Sequence, residues 1–302
     1  MTASRIGWVD YAKGICIILV VMMHSVHRVE DLLGAEGFLS PAVDFAQPFR
    51  MPDFFLISGL FLSRSLFGPV NEYIDRKVIH FIYFYVLWLT IQLMAFETSV
   101  LLNSPMEFIK LWLIGLIEPT GTLWFVHMLL IFYVVTWLLR RVPVLLVFGG
   151  ALLLQSAFQL GWIETGWAVP DRFAERYVYF FAGYAFAPAI FGFASRAAAS
   201  VPLAALLVRF DWAKVLQYCG RHSIVIYLTV PIPLTAMIKL IERGKVAPDM
   251  AGIASFITLL VAIIAPLVFH RLILKTPLQA LYVRPAWAKL RLARARSSEA
   301  AA

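Results

Sequence analysis

Residues 8–24 read Trp8-Val-Asp10-Tyr-Ala-Lys13-Gly-Ile-Cys16-Ile-Ile-Leu-Val-Val-Met-Met-His24, an apolar run with charge at one end and an imidazole at the other. With its flanks, this run is long enough to cross the ~30 Å hydrocarbon core of a bilayer as a helix. The composition extends that reading to the whole chain. Of 302 residues, 61% are hydrophobic and 15% are charged, against roughly 45–50% and about 25% in soluble domains. Mean hydropathy is +0.81. The 24 Phe, 11 Tyr and 9 Trp rule out disorder. The same arithmetic argues against a soluble two-domain enzyme of this length.

Working outward, eight blocks have spanning length, at about 14–27, 52–67, 78–96, 122–139, 143–160, 177–193, 223–241 and 251–270. Two shorter apolar stretches, 106–117 and 197–208, read as interfacial or re-entrant. The expected fold is therefore all-α, a polytopic transmembrane helix bundle of eight clear spans, or up to ten with both short stretches. A transmembrane domain over 1–283 is expected to be followed by a basic cytoplasmic tail over 284–302, partly disordered. Ala194–Ser200 and Ser297–Ala302 are compositionally simple and read as loop and loose end. No internal repeat is visible, nor the paired broken helices that secondary transporters often show.

The net charge of +8 and the pI of 9.6 do not point to nucleic acid, because the basic residues are not gathered on a polar module. They flank apolar blocks, as Arg76-Lys77, Arg140-Arg141, Arg284, Lys289, Arg291, Arg294 and Arg296 do. That is the positive-inside bias, and it places both termini in the cytoplasm of a multi-pass protein. Cys16 and Cys219 supply neither a disulfide framework nor metal-ligand spacing, so no metal site is expected. Lys13 interrupts the first apolar run and no small-residue cleavage site follows, so no cleavable signal peptide is expected.

Ionisable residues inside such a background cost ~2.5–3.5 kcal/mol each at a helix centre and are candidates for function. Lys13 and His24 lie eleven residues apart, three helical turns, so they share a face about 16 Å apart along the axis. Asp10 precedes Lys13 by three residues on that side. The bland reading is an interfacial Asp10–Lys13 pair with Lys13 snorkelling. His24 is harder to set aside, since its pKa range suits acid–base work. A second cluster is Arg50-Met-Pro52-Asp53-Phe-Phe-Leu-Ile-Ser58-Gly59. There Arg50 and Asp53 can pair at i,i+3, and Ser58-Gly59 lets another helix come close. A third is Trp124-Phe-Val-His127, with Trp124 as an interface anchor. A fourth is Gly220-Arg221-His222-Ser223-Ile-Val-Ile-Tyr227, whose Arg221 and His222 read as positive-inside anchors.

These blocks, in this order, resemble the acyltransferase 3 family of bacterial integral-membrane acyltransferases. The matching pieces are Asp10-Tyr-Ala-Lys13-Gly with His24, Met51-Pro-Asp-Phe-Phe-Leu-Ile-Ser58-Gly59, Leu123-Trp124-Phe125, Tyr179-Phe-Phe-Ala-Gly183-Tyr184 and Gly220-Arg-His-Ser223-Ile-Val-Ile-Tyr227. The opening Arg5-Ile-Gly-Trp8-Val-Asp10 looks most like the fucose 4-O-acetylase-like branch. The resemblance implies transfer of an acyl group, usually acetyl from acetyl-CoA, to a hydroxyl of a cell-surface or exported glycan. It also implies a bacterial cytoplasmic-membrane location. In the family, an Arg and an essential His mark the first helix. Lys13 holds the Arg place here, keeping the charge but not the bidentate fork, and His24 holds the His place. Two departures stand out. The interval between Gly183 and Gly220 is short by about two of the family's usual helices, and Thr229-Val230 replaces a His found in many members.

On this basis His24 is expected to be the base or acyl carrier, with Lys13 stabilising anionic parts of the donor and Asp10 orienting Lys13. Arg50, Asp53, Ser58, Trp124, His127 and Tyr227 are the expected substrate-binding residues. No permanently bound cofactor is expected. Acyl-CoA serves as donor and a glycan or lipid-linked saccharide as acceptor, with membrane lipid around the bundle. Two other classes share the buried polar groups: a transporter or flippase for a lipid-linked sugar, and a non-catalytic scaffold descended from the family.

Overall fold

The computed structural model describes residues 7–200 and 211–290. Among them every regular element is helical. The helices that frame the site are, in chain order, α1 (Gly7–Leu33), α2 (Ser40–Ala46), α3 (Arg50–Gly59), α4 (Val70–Phe96, with a π-helical turn at Ile74–Ile79), α5 (Pro105–Ile117) and α6 (Trp124–Leu138). They continue as α7 (Val144–Gln159), α8 (Ala168–Ala185), α9 (Ala187–Ser200), α10 (Asp211–Arg221), α11 (Ser223–Thr229), α12 (Pro231–Gly244) and α13 (Ala251–Ile273).

The expectation of eight clear spans does not hold. Four segments are long and apolar enough to cross a membrane: Gly7–Leu33, Val70–Phe96, Pro105–Arg141 and Pro248–Ile273. Counting two bent pairs as one span each raises the number to six. Each lost span has a local cause. Block 52–67 breaks because α3 stops at Gly59, where Ser58 turns its hydroxyl back onto the Phe54 carbonyl at 2.8 Å and glycine adds the backbone entropy cost. Block 143–160 yields the 16 residues of α7, about 24 Å at 1.5 Å per residue and short of the ~30 Å core. Block 177–193 bends by 66° between α8 and α9, where Phe186 leaves helical geometry two residues before Pro188, which has no N–H to give the Tyr184 carbonyl. Block 223–241 bends by 48° at Val230, which keeps helical angles, because Pro231 has no N–H for the ladder and its ring crowds the carbonyl a turn earlier. Both bends also overturn the expectation that paired broken helices are absent. The 106–117 stretch, expected to be short and interfacial, forms the first part of Pro105–Arg141.

Two smaller expectations also shift. Ala194–Ser200 continues α9 instead of forming a loop, in keeping with the high helix propensity of alanine. Arg284, assigned to the basic tail, is buried. The stretch 201–208 and the tail beyond Leu290 lie outside the described residues.

α1 is the axis of the bundle, packed against α3, α10 and α13. Its crossing with α10 depends on two glycines, since a Cβ on Gly14 would overlap the Leu216 carbonyl and one on Gly220 would overlap the Asp10 carbonyl. The crossing of α3 with α8 repeats the device: Gly59 faces the Phe180 carbonyl and Gly183 faces the Leu56 carbonyl. These backbone-to-backbone contacts fit the small-residue rule of membrane helix packing.

After α13 the chain folds back along α4. Tyr83 Oη donates to the Ala280 carbonyl at 3.0 Å and Trp88 Nε1 to the Leu281 carbonyl at 3.0 Å. Arg284 donates to both the carbonyl (2.8 Å) and the carboxylate of Asp75 in the π-helical turn, and the Leu290 amide donates to the same carboxylate at 2.8 Å. A buried ion pair thus fastens the segment after α13 to the first turns of α4.

Candidate functional site

Two polar chambers lie at different heights along α1. The first, at the Lys13 end, is a cavity of about 270 Å³ whose lining includes Lys13, Ser58, Lys77, His80, Ser223 and Tyr227. Phe54, Phe81, Phe84 and Phe125 supply its apolar wall. The Lys77 ammonium sits 4.6 Å from the Tyr133 ring centre, and Tyr133 Oη donates to the Ser58 carbonyl at 3.3 Å. The Tyr227 hydroxyl accepts from the Phe125 amide at 3.2 Å, tying α11 to the start of α6. The chamber therefore carries two ammonium groups, an imidazole and hydroxyls above an aromatic floor. That combination suits an anionic group with an apolar appendage.

The second chamber lies at the His24 end. His24 is half-buried, and the charges that act on it are those of Arg28 and Arg50, with His27 one turn further along. Arg50 opens α3 and lines a cleft of about 620 Å³ together with Asp44, Gln155, Gln159, Glu175 and Arg176. Arg172 and Arg176, one turn apart on α8, lie over the Trp124 ring with guanidinium carbons 5.3 and 4.9 Å from its centre. Arg176 pairs with Glu175 at 3.0 Å.

The expected residues thus divide between the two chambers. Lys13, Ser58 and Tyr227 meet in the first, while Arg50 lines the second and Trp124 reaches it only through Arg176, which covers its ring. His24 is placed beside Arg50, three turns from Lys13, as the helical spacing requires. Asp10 is buried, and Arg221 Nε donates to its carboxylate at 3.2 Å, so the residue expected to orient Lys13 also anchors α10. Asp53 is exposed, lines neither chamber, and forms no ion pair with Arg50; its charge acts on the buried Cys16. His127 is buried against the Tyr85 ring, 5.1 Å between centres, and its Nδ1 has no partner among the described residues.

Sequence reasoning missed Lys77, His80, Ser223, Arg172 and Arg176. Lys77 was absorbed by the positive-inside rule as half of Arg76-Lys77. Arg172 and Arg176 carried a legible signal: two arginines at i,i+4 opening a helix that follows an exposed loop, close to Glu175. Among the described residues no group of His, Cys, Asp and Glu is arranged to hold a metal ion.

Known proteins bear on this arrangement. The inner membrane protein YcfT of Escherichia coli (strain K12) is 25% identical over 190 residues, which is 53% of this chain and 50% of that protein. The chain thus spans about half the length of this curated relative. No solved structure matches. Residues 6–208 match the model of the acyltransferase domain, a stretch that holds Lys13, His24, Arg50, Trp124 and both arginines of α8. With more than half of its length matched, this multi-pass helical membrane protein belongs to the acyltransferase 3 family.

Proposed function

We propose that the chain moves an acyl group, acetyl in the first instance, from acyl-CoA to a hydroxyl of a cell-surface or exported glycan. The carrying observation is the stacking of two polar chambers along one helix, with Lys13 in one and His24 beside the other. A sugar hydroxyl is a weak nucleophile near neutral pH, so a base must take its proton as it attacks. His24 accepts that proton while the hydroxyl oxygen bonds to the thioester carbonyl carbon. The C–S bond then breaks, and the coenzyme leaves as a thiolate that takes up a proton. A covalent acyl-His24 intermediate is the two-step variant of the same reaction. Lys13, joined by Lys77 and His80, holds anionic parts of the donor, which enters from the cytoplasmic face. Membrane lipid surrounds the bundle, and both termini face the cytoplasm of a bacterial inner membrane. The opening Trp8-Val-Asp10-Tyr-Ala-Lys13-Gly supports a place near the fucose 4-O-acetylase-like branch.

Membranes containing the protein should pass label from radioactive acetyl-CoA to a glycan acceptor. His24→Ala should reduce that transfer at least a hundredfold, within the ~10²–10⁴ range of a general base, while protein level is unchanged. Full activity in that variant sinks the assignment. One observation favours a second reading: the bends of 66° and 48° resemble the discontinuous helices of transporters of lipid-linked or free sugars. Sugar translocation in proteoliposomes without any label transfer would select it.

A further inference from the structure

Three guanidinium groups gather in and beside the second chamber, each with a nitrogen left unpaired among the described residues. Arg50 and Arg176 both line the cleft. Arg172 stands one turn from Arg176, and both share the face of Trp124. The three form a chain of mutually repelling charges, in which Arg176 acts on Arg50 and Arg172 acts on Arg176. Each also has a buried nitrogen with no hydrogen-bond partner among the described residues: Arg50 Nε, Arg172 Nη1 and Arg176 Nε. Buried donors of this kind are rarely left unmade in a folded protein, because each costs its desolvation. The nearby carboxylates do not resolve this. Glu175 is taken by Arg176, and Asp171 is held by the Thr165 amide and hydroxyl at 3.0 and 2.8 Å. Asp44 also lines the cleft, but it pairs with none of the three arginines among the described residues.

We infer that Arg50, Arg172 and Arg176 form a receptor for an anionic group, carboxylate or phosphate, on the acceptor saccharide. Planar forks of N–H donors match both anions in bidentate fashion. The Trp124 ring offers an apolar face beneath the arginines. The cleft's 620 Å³ admits a sugar ring with its substituents. Arg50 acts on His24 as well as on Arg176, so an anion held here brings the same sugar's hydroxyl toward the imidazole. The donor has its own cationic chamber around Lys13, about 16 Å away along α1 at 1.5 Å per residue. Assigning the anion to the acceptor rests on the acyltransferase reading; the binding itself does not.

The test is equilibrium binding to the purified full-length protein in neutral detergent, with glucuronate, glucose 1-phosphate, glucose and coenzyme A as probes. Glucuronate or glucose 1-phosphate should bind at least tenfold more tightly than glucose. Preference for the first makes the group a carboxylate, and preference for the second makes it a phosphate. Arg172→Gln with Arg176→Gln should remove that preference and leave coenzyme A binding unchanged. Arg176→Lys, which keeps the charge without the fork, should retain part of it and shows that the site still folds. Equal binding of glucose and the two anions overturns the inference, as does loss of coenzyme A affinity in the glutamine variants. No transfer activity enters this measurement, so an absence of acetylation would defeat the enzymatic reading and leave the anion site standing. Where transfer occurs, the same variants should raise the acceptor KM at least tenfold with the donor KM unchanged.

Discussion

At the scale of single residues, the blocks that carry the family resemblance contain two kinds of position. Gly14, Gly59, Gly183 and Gly220 occur in four of the five blocks, and at each a side chain would strike a neighbouring backbone. These glycines fix how α1 meets α10 and how α3 meets α8, and so set where Lys13, His24 and Arg50 stand. Gly183→Ala or Gly220→Ala should destabilise the protein by about 1–3 kcal/mol, the usual cost of overpacking, seen as a lowered unfolding temperature in detergent. Gly149→Ala, at a position with open space around it, should leave that temperature unchanged. The second kind of position is chemical, and Lys13 is its sharpest case. If Lys13 serves as a point charge in the first chamber, Lys13→Met should cut acetyl transfer at least tenfold while Lys13→Arg keeps it. A Lys13→Arg variant as poor as Lys13→Met would mean that the cavity requires the compact ammonium. Spacing revealed Lys13 and His24 because three helical turns return to one face. It could not pair Asp10 with Arg221, since 211 positions separate them and only tertiary packing joins them.

At the scale of elements, apolar runs locate helices but do not show where a helix bends. The hydropathy of 177–193 and 223–241 is continuous, and the breaks come from single prolines, Pro188 and Pro231, acting on the carbonyls a turn earlier. Those prolines were visible in the sequence. Their presence alone does not fix a bend, because helix-breaking residues are tolerated within membrane bundles when neighbours satisfy the freed backbone groups. The segment after α13 was misread for a different reason. A basic residue near a chain end looks like a solvated anchor, yet Arg284 is buried against Asp75, with side chains 6% and 10% exposed. Arg284→Met should cost about 3–5 kcal/mol, because it leaves a buried carboxylate without its counter-charge. The double variant Asp75→Asn/Arg284→Met should recover much of that loss. Thermal unfolding and protease sensitivity after residue 273 both report it, and a double variant no better than the single would mean that packing, not charge, holds the segment. Since Asp75 shares its π-helical turn with Lys77, loosening the segment should also disturb the first chamber, which Lys77 lines.

At the scale of the molecule, α3 runs from Arg50 in the second chamber to Ser58 in the first, with Phe54 and Phe55 between them. Phe54, Phe55 and Phe125 pack together there, with ring centres of Phe54 and Phe125 5.0 Å apart and of Phe55 and Phe125 4.7 Å apart. Rings packed this closely separate the two polar ends, which the proposed division of donor from acceptor sets toward opposite compartments. The proposed orientation, drawn from the positive-inside bias, puts the Lys13 end in the cytoplasm, and cysteine labelling tests it directly. Both native cysteines are buried, so background reaction with a membrane-impermeant maleimide should be low. A cysteine in place of exposed Arg76, beside the first chamber, should react only when the cytoplasmic face is open to the reagent. A cysteine in place of Gln47, on the rim of the second chamber, should react only from the other side. Labelling of both from one face would place the chambers in the same compartment. It would remove the reason for dividing donor from acceptor between them, and with it the role given to the three-turn separation of Lys13 and His24.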